Sequence, residues 1–198
     1  ERELSRTLID AFDAKGITDE LARYRSYAKY TGQQKLKFVP NRGIMGELSG
    51  YIADACWTKR NDVMANNENI TPIIIVTNPD QKGNMRTGGA FLLLEATEPA
   101  TGDKVLVIRG NNPQETIIGK LDPVEYVREV VAYAKEVAER RGISKVALPV
   151  DGRGQSATNR QSVFDSYLTL YGSNQPISLA GDILFNGYDL RNRCVVVN

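Results

Sequence analysis

Few side chains in this 198-residue sequence have the chemistry to act on a substrate, and the most pointed is a carboxylate inside an apolar strand. Glu95 lies within Leu92-Leu93-Leu94-Glu95-Ala96, where burial would raise its pKa toward that of a base for an ammonium proton. Glu98 is a second such carboxylate, and an ion pair with Arg or Lys is the plain alternative for both. Tyr167 and Tyr171 stand one helical turn apart. A phenol can donate a proton, but two rings packed in a core with their hydroxyls at its rim need no chemistry. Arg109-Gly110-Asn111-Asn112-Pro113 puts a cation and two amides at a strand end, which is also an ordinary loop composition. Residues 151–160 (DGRGQSATNR) lead from a strand into a helix N-terminus, where free N–H groups suit an anion and Arg153 and Arg160 could clamp it. Turn chemistry accounts for those glycines equally, and the Gly-Lys-Ser/Thr ending of a phosphate loop is absent. Cys56, beside Trp57 near a helix end, has neither an imidazolium nor a helix N-terminus to hold a thiolate, so a small buried hydrophobe is the plainer reading.

The sequence contains no histidine, which removes Ser-His-Asp and Cys-His catalysis and every His-ligated metal site within this chain. Two cysteines, Cys56 and Cys194, cannot make a four-thiolate site, so no metal is expected; whether they pair is open. A net charge of +1 and the lack of basic clusters argue against nucleic acid and anionic membranes as partners. The longest strongly apolar run, Ile73 to Val76, is far too short for a membrane span. No signal-peptide pattern opens the chain, and Glu1 in place of an initiator Met suggests a processed chain or an excised domain, with a cytoplasmic setting as the default. At 41% hydrophobic and 25% charged residues, the composition is globular and can bury a core without staples.

The elements that must position these groups are legible in the periodicity. Residues 1–34 read as a helical extension, with stripes at Leu4, Leu8, Phe12 and at Leu21, Tyr24, Ala28; residues 35–198 form the main domain. Lys35 to Pro40 predicts a strand, and Ile44 to Lys59 a single helix. Ile70 to Thr77, Gly89 to Thr97 and Lys104 to Arg109 predict strands covered on both faces, the last two joined by a hairpin turn at 99–103. Asp122-Pro123-Val124-Glu125 is a strong helix start, with Gly142 closing that helix before a strand at Lys145 to Val150. A helix capped by Thr158 and two last strands, at 177–179 and 193–197, complete one α/β domain.

This order resembles the GCN5-related N-acetyltransferase (GNAT) fold across residues 35–198. The clearest part is the helix ending Ala138-Glu139-Arg140-Arg141-Gly142, then Lys145-Val146-Ala147-Leu148, then an Asn159-to-Tyr171 helix. The resemblance implies a mixed, mostly antiparallel central sheet flanked by helices. It implies acetyl-CoA or another acyl-CoA as co-substrate and a small-molecule or protein amine as acceptor. Arg109, Gly110, Asn111, Asn112 and Asn159 would hold the donor where two strands part, Glu95 would take the ammonium proton, and Tyr167 would protonate the departing thiolate.

The family's pyrophosphate loop, Arg/Gln-x-x-Gly-x-Gly/Ala, is replaced by residues 110–122, ending in Asp122 with Glu125 beyond, where carboxylates would repel phosphate. That departure keeps a second reading beside acyl transfer: a non-catalytic ligand- or protein-binding domain of a larger protein, with Tyr24, Tyr27 and Tyr30 offering a docking surface toward neighbouring domains. A third reading is an amide-bond enzyme using Cys56 as nucleophile.

Overall fold

The computed structural model describes residues 29–31, 36–59, 66–77, 85–150, 157–180 and 194–197. Its strands are β1 (Lys29–Thr31), β2 (Leu36–Pro40), β3 (Ile70–Val76), β4 (Thr87–Thr97), β5 (Lys104–Pro113), β6 (Lys145–Pro149), β7 (Pro176–Ile177) and β8 (Cys194–Val196). They form one sheet in the order β1-β2-β3-β4-β5-β6-β8-β7, in which only β5 and β6 run parallel. The helices are α1 (Ile44–Glu47), α2 (Ser49–Ile52), a 3-10 turn (Cys56–Lys59), α3 (Glu115–Ile118), α4 (Pro123–Arg140) and α5 (Gln161–Tyr171). The fold is thus α/β with a mixed, mostly antiparallel sheet between helices. No described helix is long and apolar enough to cross a membrane.

The continuous apolar runs become strands buried on both faces. Every residue of β3 is buried, its even positions Ile70, Ile74 and Val76 packing with α1, α2 and Trp57, its odd positions Ile73 and Ile75 packing with α4 and α5. Pro72 lies just past the end of the β2 ladder, which stops at Pro40 opposite Ile73, and its carbonyl accepts from the Asn41 N–H at 3.0 Å. On the second face, Phe38, Phe91 and Tyr133 meet edge to face, with ring centroids 5.3 to 6.2 Å apart.

Four expectations change in detail. Lys29–Thr31, within the stretch read as helical, pairs with β2, while 1–28 and 32–35 lie outside the described residues. The single helix over 44–59 is instead two short helices and a 3-10 turn. A Cβ on Gly46 would lie 2.0 Å from the Asn41 carbonyl, and Asp54 adopts φ 47 to fold the chain back over α2. Strand β5 continues to Pro113 rather than ending at Arg109. Helix α5 starts at Gln161 with Arg160 as its N-cap; Thr158 instead accepts the Arg160 N–H through Oγ1 at 2.9 Å.

The hairpin turn after β4 carries a compact charge cluster. Lys145 donates to Glu98 and, at 3.0 Å, to Asp103. Its ammonium is the main reason that both carboxyls are held below their ordinary range. Their contribution to stability is present above the unfolded carboxyl pKa and is lost as pH falls through the lowered folded values. Lys145→Met is therefore expected to flatten the loss of stability between about pH 5 and pH 2, read as urea midpoints against pH. An unchanged acid limb would contradict this.

Candidate functional site

The two parallel strands part company early. β5 pairs with β6 only over Val105 to Val107, opposite Lys145 to Ala147. Beyond Ala147, β6 pairs only with β8 on its other edge, and β5 runs on paired only with β4. Three residues beyond Val107, Gly110 adopts φ 58 at a bulge of the β4–β5 pair, where Leu92 opposes Arg109 and Ala90 opposes Asn112. A Cβ on Gly110 would lie 2.4 Å from the Trp57 ring, so only glycine admits the indole, whose Nε1 donates to Ser49 at 3.1 Å.

The side chains beyond the bulge are brought together and buried. Asn111 is 0% exposed; its Oδ1 accepts from the Tyr126 hydroxyl at 2.5 Å, and its Nδ2 donates to the Tyr167 hydroxyl at 3.0 Å. Burial pushes both phenols up, so each keeps its proton across the ordinary pH range. Residues 157–160 lie against β5 beyond its pairing with β6. The Asn111 N–H donates to the Ala157 carbonyl at 2.8 Å, and Asn112 Oδ1 accepts from Thr158 Oγ1 at 3.2 Å and from the Asn159 N–H at 2.6 Å. Arg160 is buried and spans three segments, reaching the Pro113 carbonyl at 2.6 Å, the Ala53 carbonyl at 3.3 Å and the Glu115 carboxylate at 3.4 Å. Arg109 is buried on the same strand, while the Asn159 side chain is exposed and only its main chain joins the site.

The helix end that would face a pyrophosphate is already satisfied. Asp122 Oδ1 accepts the Val124 N–H at 2.8 Å and the Glu125 N–H at 3.2 Å, and Pro123 has no N–H to offer. Removing this cap by Asp122→Ala is expected to cost about 1 kcal/mol, read by urea denaturation; a loss near zero would mean that the carboxylate does not hold the helix.

Glu95 stands apart from this cluster. It opposes Leu106, five residues along β5 from Asn111, roughly 16 Å away at the rise of an extended chain. Its carboxylate is 22% exposed and ion-paired with Arg141 at 2.8 Å and Lys104 at 3.8 Å. Glu98 is paired with Lys145 and is a weaker base than an ordinary glutamate. Cys56 is exposed rather than buried, at the start of the 3-10 turn; Cys194 is buried, and burial pushes its thiol up to about 12. The two cysteines do not form a disulfide. Tyr171 is half-buried, and Arg153 lies outside the described residues. No group of three or more metal-ligating Cys, Asp or Glu side chains occurs among the described residues.

Two participants, Tyr126 and Trp57, carry no motif. The signal for Tyr126 is a second aromatic position on α4, seven residues before Tyr133, which widens the buried stripe. No protein-family model and no curated protein matches the chain.

Proposed function

We propose that this domain is a GNAT-like scaffold that works by binding a ligand or protein partner rather than by acyl transfer. The observation that carries the reading is that the chain's own residues 157–160 lie against β5 beyond its pairing with β6, taking the Asn111 N–H and the Asn112 amide that a donor arm would need. The Asp122 cap supports it, since the first-turn donors of α4 are consumed and a carboxylate stands where phosphate charge would come. The likeness to the family rests on the element order and on the parting of β5 from β6 after Val107.

A second reading, acyl transfer from acetyl-CoA or another acyl-CoA to an amine, is favoured by one observation. Tyr167 accepts from Asn111 on β5, and no described residue accepts its own proton, which leaves that proton available to a thiolate. This reading requires 157–160 to leave the β5 edge and requires a base other than the ion-paired Glu95.

Incubating the full chain with acetyl-CoA and a panel of primary amines, and measuring free CoA by mass spectrometry, separates the two. The binding reading predicts release no faster than in buffer. Turnover that falls tenfold or more in Tyr167→Phe, on the order expected for loss of a general acid, would overturn it in favour of acyl transfer.

A further inference from the structure

Away from the Asn111 cluster, two arginines meet on one hydroxyl. Arg42, just past the end of β2, and Arg141, the C-cap of α4, each donate from Nη2 to Thr71 Oγ1, at 3.3 and 3.2 Å. Thr71 is 3% exposed and both lone pairs of its oxygen are taken, while its proton finds no acceptor among the described residues. A second buried hydroxyl lies on the same sheet face. Tyr133 packs on Phe91, which opposes Ile73, two residues along β3 from Thr71. Its hydroxyl makes no hydrogen bond among the described residues; burial pushes the phenol up, and the nearby Arg140 and Arg141 charges act against that.

The charges around Thr71 do not balance. Glu95 is shared between Arg141 at 2.8 Å and Lys104 at 3.8 Å, and Arg42, which is exposed, reaches the Glu68 carbonyl but no carboxylate among the described residues. Three cations thus gather on one carboxylate. Drawing two guanidinium groups onto one neutral oxygen sets like charges side by side, an arrangement that an anion between them would relieve. The negative end of α4 is muted here, since the Val137, Ala138 and Glu139 carbonyls accept from the N–H groups of residues 141–143.

We propose that Arg42 and Arg141, gathered on Thr71, form a binding site for a phosphate monoester group. Its three free oxygens can accept from both guanidinium groups and from the Thr71 hydroxyl, while the fourth carries the rest of the ligand into solvent. A carboxylate, with two oxygens, would leave one of these donors unmet. The site lies apart from the Asn111 cluster, so it goes beyond the binding reading and holds whichever reading of that cluster is right.

Inorganic phosphate added to the full chain at constant ionic strength, followed by NMR shifts of backbone amides and arginine side chains, tests this. The Arg42, Thr71 and Arg141 signals are expected to move together and to saturate, half-way at about 10 mM for a probe that lacks the rest of the ligand. Arg42→Gln is expected to weaken binding about tenfold or more, and Glu95→Gln, which removes the competing carboxylate, to tighten it about threefold. Arginines that served only the fold would show no such tightening, because Glu95→Gln would then simply lose an ion pair. Methyl phosphate, which keeps three free oxygens, is expected to bind within about threefold of inorganic phosphate, and a loss of about tenfold would overturn the monoester assignment. Wild-type signals that stay still or drift without saturating up to about 50 mM phosphate would overturn the site itself, and that result needs no variant to fold.

Discussion

Gly110→Ala is expected to destabilise the protein by about 2–5 kcal/mol. A left-handed backbone costs a residue with a Cβ roughly 1–2 kcal/mol, and forcing a methyl into a filled core adds about 1–3 kcal/mol. Both apply, because φ is 58 and the new carbon would stand 2.4 Å from the Trp57 ring. That ring is buried and anchored through Ser49, so it has nowhere to swing. For a chain of this length the change lowers Tm by about 5–15 °C. A double-mutant cycle with Trp57→Leu isolates the contact: in that background the alanine should cost only the backbone share. A loss below about 1 kcal/mol in the wild-type background would mean that the indole does not press on the bulge.

Asn111→Leu is expected to cost about 2–6 kcal/mol, for a different reason. The amide is the hydrogen-bond partner of two buried phenols, and stranding each hydroxyl costs about 1–3 kcal/mol. In the Tyr126→Phe, Tyr167→Phe, Asn111→Leu triple variant no hydroxyl is left stranded, so most of the stability should return. Urea midpoints of the single, double and triple variants decide it. If the triple variant is less stable than Asn111→Leu alone, the amide matters for its packing and not for the bridge.

How far the fold could be read in advance depended on the kind of signal. The runs Ile70 to Val76 and Gly89 to Thr97 are apolar without alternation, and both became strands covered on two faces. Asp122-Pro123-Val124-Glu125 carries its own cap, and the helix begins there. These features are local, so periodicity and capping suffice.

The region around α1 and α2 has the apolar spacing of one helix. What breaks it is tertiary: the approach of the Asn41 carbonyl to Gly46 and the fold-back at Asp54. The candidate site was half legible. Asn111, Asn112 and Tyr167 stood out as polar groups near element ends, and they do come together. Glu95 stood out as sharply, yet its partners Arg141 and Lys104 arrive from α4's end and the next strand, and spacing within β4 cannot announce them. Tyr126, Trp57 and the crossing by 157–160 depend on contacts dozens of residues apart in sequence, which no local pattern encodes.

We propose that residues 157–160 hold the β5 edge beyond Val107 and that this edge takes no coenzyme A arm. Isothermal titration of the full chain with acetyl-CoA, and separately with free CoA, tests it most directly. The predicted result is no saturable heat at ligand concentrations up to the millimolar range, on the order of 4 kcal/mol of binding free energy. Saturable binding to the wild type that is lost in Asn112→Ala would contradict the claim, because the donor would then be seated where residues 157–160 now lie.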